Sequence, residues 1–215
     1  MSEITENRPV IDEEQLHHDM GLGAIWTASR LIIGSTTMLF AGIAFAFFYL
    51  KSLDSHGLFD PHGVTASTLV GSVILGLVVV SAFISNYSTW RMKKGYSFDW
   101  QVGSVISLLL GLLAIGLQVW ELTRLNFLPG ASGYAGVYIA FVPVYSGVMF
   151  LSMYWLETLV ARSIRARKAL AQDGGAGLSK LPMAENFRAS VDAFNYFWNF
   201  MVLISVIFFI IFYVI

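Results

Sequence analysis

The chain has 215 residues, 56% of them hydrophobic and 13% charged, with a formal net charge of −1. A mean hydropathy of +0.67 places it in the membrane class and excludes an ordinary soluble domain, which could not bury so much apolar side chain. The charge balance offers no basic stripe for nucleic acid, and the absence of cysteine removes disulfides, thiolate metal sites and cysteine nucleophiles together.

Met1 to Ser29 is polar and acidic, with Glu3, Glu6, Asp12, Glu13, Glu14 and Asp19 against Arg8. It lacks the basic n-region and short apolar h-region of a secretory signal, so the first span is expected to stay in the mature protein. His17 and His18 form a pair without a third ligand nearby and read as part of a solvated tail. Met20 to Arg30 is expected to lie along the interface, with Trp26 at headgroup depth.

Leu31 to Leu50 contains no Asp, Glu, Lys or Arg. At about 1.5 Å per residue a helix of that length matches a hydrocarbon core of roughly 30 Å. Four more uncharged runs follow: Pro61 to Trp90, Trp100 to Trp120, Leu125 to Leu156 and Ala193 to Ile215. The pattern predicts an all-α polytopic protein, a bundle of five transmembrane helices at about residues 31–50, 64–90, 100–121, 134–160 and 192–215. Residues 1–29 form an acidic cytoplasmic segment, 30–215 the membrane domain, and 161–190 a cytoplasmic loop.

Short loops rich in Lys and Arg are retained in the cytoplasm. Five spans put eleven basic residues on the side of the N-terminus and the second and fourth loops, against Lys51 and Arg124 on the other. The N-terminus is therefore expected inside and Ile215 outside.

Small residues recur four apart at Thr68, Ser72 and Gly76 and again at Gly103, Ser107 and Gly111. Such faces let helix backbones approach where lipid gives no hydrophobic drive for association. Gly34, Ser35, Thr36 and Thr37 are expected to do the same in the first span. Pro143 predicts a kink in the fourth, and Asn195 and Asn199, a turn apart, are expected to face protein. The 161–190 loop passes from ARSIRARK through QDGGAG to LPMAENFR; its basic half suits anionic headgroups at up to about 1 kcal/mol per charge.

Redox or proton-pumping chemistry needs groups inside the membrane that hold haem, copper or protons. All four histidines, His17, His18, His56 and His62, lie outside the spans or at their ends, so no cofactor is expected in this chain. Met38 and Met149 read as apolar packing. His56 and His62 share a loop with Asp54 and Asp60, for which a polar loop is a sufficient account beside a metal site. Glu121 and Glu157 sit at span ends, where an ionised carboxylate costs far less than the roughly 2.5–3.5 kcal/mol of the helix centre.

The first span, ending LFAGIAFAFFYL, resembles the first core helix of subunit III of haem-copper respiratory oxidases, the cytochrome c oxidase subunit III family. Gln118 and Glu121 in LQVWEL, Tyr134 at the start of the fourth helix, and YFWNF from Tyr196 to Phe200 follow in the family's order. The resemblance covers about Ser29 to Ile215. It departs where the family has a buried glutamate and this chain Thr36, where the family has a histidine pair and this chain Tyr145 and Val148, and where Asn199 and Val202 replace a histidine and an aspartate. The resemblance implies a divergent, non-catalytic accessory subunit of a cytochrome c or quinol oxidase in the bacterial cytoplasmic membrane. It would bind phospholipid and pack against catalytic subunit I, with haem and copper in partner chains. Competing readings are an accessory subunit of nitric oxide reductase, a free-standing transporter or an assembly scaffold; five spans without a repeat speak against a transporter.

Candidate packing or partner contacts are Thr36 and Gly42 in the first span, Ser72 and Gly76 in the second, and Ser107, Gly111, Gln118 and Glu121 in the third. Trp198 and Asn199 complete the set in the fifth. The charge-based topology has a direct check in a chain without cysteine. Cysteines placed at Ser97 and Gly175 should be shielded from an impermeant thiol reagent in intact cells, and one at Ser55 labelled; the opposite pattern inverts the orientation.

Overall fold

The computed structural model of the protein describes residues 13–54, 57, 59, 65–172 and 182–215. The helices are α1 Glu13–Ser52, α2 Thr68–Lys93, α3 Ser97–Thr123, α4 Gly133–Gln172 and α5 Pro182–Tyr213, and no strand occurs among the described residues. Each contains a stretch long and apolar enough to cross a membrane, which makes the chain an integral membrane protein.

Helices α2, α3, α4 and α5 form a ring in which each packs on the next and α5 closes onto α2. Helix α1 lies outside this ring against α4 and α5. Burial follows the same order: half of the apolar window of α4 is buried, against 17% of that of α1. What holds α1 is one stripe of rings. Phe40 and Phe47, seven residues and two turns apart, are both buried, Phe40 meeting Phe141, Tyr145 and Phe208 edge-on, and Phe47 meeting Phe59 and Phe212. Phe141 and Phe208 stack at 4.3 Å between centroids beneath them. Such pairs add about 0.5–1.5 kcal/mol each beyond their area.

The α2–α3 hairpin is short because Gly95, at φ +96°, takes a backbone conformation open to glycine. Its N–H donates to the Met92 carbonyl at 2.9 Å and that of Tyr96 to Arg91 at 3.1 Å, closing the helix end. Arg91 then reaches over the turn to Asp99 and lies 3.9 Å from the Tyr96 ring centroid.

Three boundaries differ from those expected. Helix α1 begins at Glu13, so Met20 to Arg30 continues the span as helix instead of turning along the interface. Helix α4 runs through Pro143 without a break and on to Gln172, and α5 begins at Pro182. The expected loop 161–190 is therefore mostly helix. Uncharged runs measure the thickness of the membrane, whereas a helix ends at a breaker, and ARSIRARKALAQ holds neither Gly nor Pro. The QDGGAG cluster past Gln172, Gly175, His56, Asp60 and His62 lie outside the described residues, as do the side chains of His17 and His18.

On α2 the face turned into the bundle is Gly71, Ile74, Val78, Ser81 and Ser85, not the Thr68, Ser72 and Gly76 face, which is exposed. A Cβ on Gly71 would overlap the ring of Tyr213, while one on Gly76 would meet nothing. Gly71→Val should therefore cost about 1–3 kcal/mol by overpacking and Gly76→Val no more than about 0.5 kcal/mol, read from unfolding in detergent micelles. Equal losses would place α2 the other way round.

Candidate functional site

The polar side chains of the spans gather in a seam inside the ring. Its centre is the contact of Ser81 on α2 with Ser107 on α3: each hydroxyl reaches the other's backbone carbonyl at 3.0 Å, and the two oxygens stand 2.8 Å apart. That reciprocity requires close backbones, and Gly103 and Gly111 on the same face of α3 permit it. A Cβ at Gly103 would run into Ser88, and one at Gly111 into the sulfur of Met153 on α4. Ser107 and Gly111 are thus buried between neighbouring helices.

Toward the end of the ring near the α2–α3 turn, Asn195 on α5 is buried and accepts from Ser85 Oγ at 2.6 Å while its Nδ2 donates to Thr89 Oγ1 at 2.6 Å. Asn199, one turn on, exchanges two amide bonds with Asn86 at 2.8 and 3.1 Å, and that pair is exposed at the bundle surface. Trp198 beside it is fully buried, stacks parallel to Phe194, and leaves its indole N–H without an acceptor.

At the opposite end Gln118 and Glu121 continue the buried face of α3. Gln118 accepts from Ser146 on α4 at 2.9 Å. Glu121 is 4% exposed and neither carboxyl oxygen closes a hydrogen bond. The Tyr138 hydroxyl and the Ser67 amide at the start of α2 are its polar neighbours. The carboxyl borders a cavity of about 40 Å³ between α2, α3, α4 and α5, together with Tyr138, Tyr145, Ser205 and Tyr213. A space of that size admits water, which needs about 10–15 Å³. Tyr138 and Tyr213 share a bond of 3.0 Å, and Tyr145 bonds Ser205. Tyr134 holds the same end shut: its hydroxyl takes the Ala66 N–H at 3.2 Å and donates to the Phe212 carbonyl at 3.3 Å, and its ring stacks on Tyr138.

Thr36 is buried on the stripe that carries Phe40, whereas Gly34, Ser35 and Thr37 are exposed, the last two hydroxyls donating to carbonyls of their own helix. Gly42, Ser72 and Gly76 are exposed, and a Cβ on either glycine would meet nothing among the described residues. Sequence reasoning missed Gly71, Ser81, Ser85, Tyr138 and Tyr213. Ser81, Ser85 and Ser88 stand four and three apart, a spacing as regular as the one chosen; tyrosines in a span give no comparable sign.

The seam contains hydroxyls, amides and one carboxyl, and among the described residues no three His, Asp or Glu side chains converge to hold a metal ion. No family model and no curated protein matches the chain.

Glu121→Gln keeps the shape and supplies an amide donor in place of a carboxyl that closes no hydrogen bond, so it should hold or raise the melting temperature. A loss above about 1 kcal/mol, the worth of a typical hydrogen bond, would show that the carboxylate has a partner the isolated chain lacks.

Proposed function

We propose that the protein is a non-catalytic accessory subunit of a haem-copper terminal oxidase, of the subunit III kind, receiving neither electrons nor oxygen itself. It stabilises a catalytic subunit that carries the haems and copper, binds phospholipid, and resides in a bacterial cytoplasmic membrane with its N-terminus inside. The observation that carries this reading is the ordered resemblance of Gln118, Glu121, Tyr134 and the YFWNF run to that family. Its first three residues lie at one end of the ring, where Glu121 and Tyr134 both neighbour the Tyr138–Tyr213 pair. A seam built for close packing and lined, apart from Glu121, with hydroxyls and amides suits a subunit that works by holding its shape against a partner.

Purification from native membranes in mild detergent should yield co-purifying chains whose visible spectrum contains haem, while this chain expressed alone carries none. Co-purification of no redox subunit would overturn the reading. Gly111→Leu tests the mechanism: Met153 is buried, so the α3–α4 contact must widen. The complex should keep its haem spectrum and initial turnover while this subunit dissociates more readily or activity decays sooner. Immediate loss of haem, or unchanged retention and lifetime, would contradict it.

A further inference from the structure

The bundle end at the α2–α3 turn carries two kinds of positive charge. Arg91 is paired with Asp99 at 2.5 Å and Lys93 with Asp192 at 2.8 Å. Arg162, Arg165, Arg167 and Lys168 on α4 make no ion pair among the described residues. Three side chains of that segment, Ile164, Arg167 and Lys168, share one helix face by their three- and four-residue spacing. With Gln101 of α3 they line a cleft of about 340 Å³.

The cleft is built, not merely charged. Gln101 is buried, and its Nε2 donates to Ser163 Oγ at 2.7 Å, which turns its carbonyl to accept from Arg167 Nη1 at 3.2 Å. The Arg167 guanidinium also lies 5.1 Å from the Phe98 ring centroid. The side chain is thus held in place with one of its five N–H donors engaged. The first turn of α3, whose unpaired amides form the positive helix end, is beside it.

Depth selects the ligand. Tyr96 and Phe98 are 52% and 58% exposed at the start of α3, the position of aromatic side chains at a lipid–water boundary. The Gln101–Ser163 contact sets residue 163 one turn inside that start, so Arg167 and Lys168, one turn further out, lie level with Tyr96 and Phe98, at headgroup depth.

We propose that this cleft binds the phosphate of an anionic phospholipid headgroup, Arg167 and Lys168 supplying the charge and Gln101 holding Arg167 in register. The inference rests on the lipid-binding part of the function proposed above and is independent of the identity of the partner chain, so its failure leaves the oxidase reading standing.

The full chain, purified in mild detergent, is titrated with short-chain phosphatidylglycerol, phosphatidylcholine or inorganic phosphate, and binding is read by native mass spectrometry. Phosphatidylglycerol should bind in preference to phosphatidylcholine. Arg167→Gln and Lys168→Gln should each weaken it roughly fivefold, the worth of one juxtamembrane charge. Arg188→Gln, at the same end but outside the cleft, should leave binding unchanged. Lys168 is exposed and forms no side-chain bond among the described residues, so its variant tests the site even where Arg167→Gln folds poorly. Unaltered binding in Lys168→Gln, an equal loss in Arg188→Gln, or displacement of the lipid by equimolar inorganic phosphate would each overturn the proposal, the last by making it a site for the free anion.

Discussion

Inside a bilayer an apolar side chain gains little by leaving acyl chains for a neighbouring helix, so the ring depends on how near α3 comes to α2 and α4. Ser81 and Ser107 can bond reciprocally only because Gly103 and Gly111 remove the side chains that would hold the helices apart. Everything above and below inherits that spacing. Gln118 reaches Ser146 at one end, and Ser85 and Thr89 reach Asn195 at the other, from the same inner faces of α2 and α3. Each interhelical bond of this kind contributes about 0.6 to 2 kcal/mol, so the set acts as registration for a fold held mainly by contact.

Helix α1 is attached by a different interaction. Ser29 donates to the Ala193 carbonyl at 3.4 Å and Lys51 Nζ to the Ile215 carbonyl at 2.7 Å, and the helix docks chiefly through Phe40 and Phe47 on rings of α4 and α5. Ring stacking tolerates small displacements in a way that reciprocal serine bonds do not. The chain therefore combines a four-helix ring keyed by interhelical hydrogen bonds with a first helix, α1, keyed mainly by aromatic contacts and exposed on its other side.

The number of spans and their order were legible in the sequence because charge is excluded from the hydrocarbon core and marks its edges. Helix ends were not, since charge does not stop a helix: α4 continues as helix through Arg162 to Lys168. On α3 the small residues spaced four apart, Gly103, Ser107 and Gly111, all lie on the buried side. On α2 two faces bear small residues, and spacing alone could not choose Gly71, Ser81 and Ser85 over Thr68, Ser72 and Gly76. The choice is made by Tyr213, which comes from the far end of α5 and fills the space above Gly71. That contact spans more than a hundred residues and has no local signature. Gln118 and Glu121 were picked out by resemblance, yet the tyrosines around Glu121 became visible only in three dimensions.

The placement of Glu121 also bears on how the bundle holds a carboxyl in its interior. A buried acid with no closed hydrogen bond works against stability unless something else satisfies it. Here it lies between the end of α3 and the start of α2, bordering a cavity that admits water. Water there can bond the two oxygens to the Tyr138 hydroxyl and to the first amides of α2, joining three helices through groups that none of them could satisfy alone. At the bundle end opposite the α2–α3 turn Tyr134 makes such a tie directly, through the Ala66 amide and the Phe212 carbonyl. Loss of its hydroxyl should loosen the α1–α2 connection before it disturbs the serine contact at the centre of the ring.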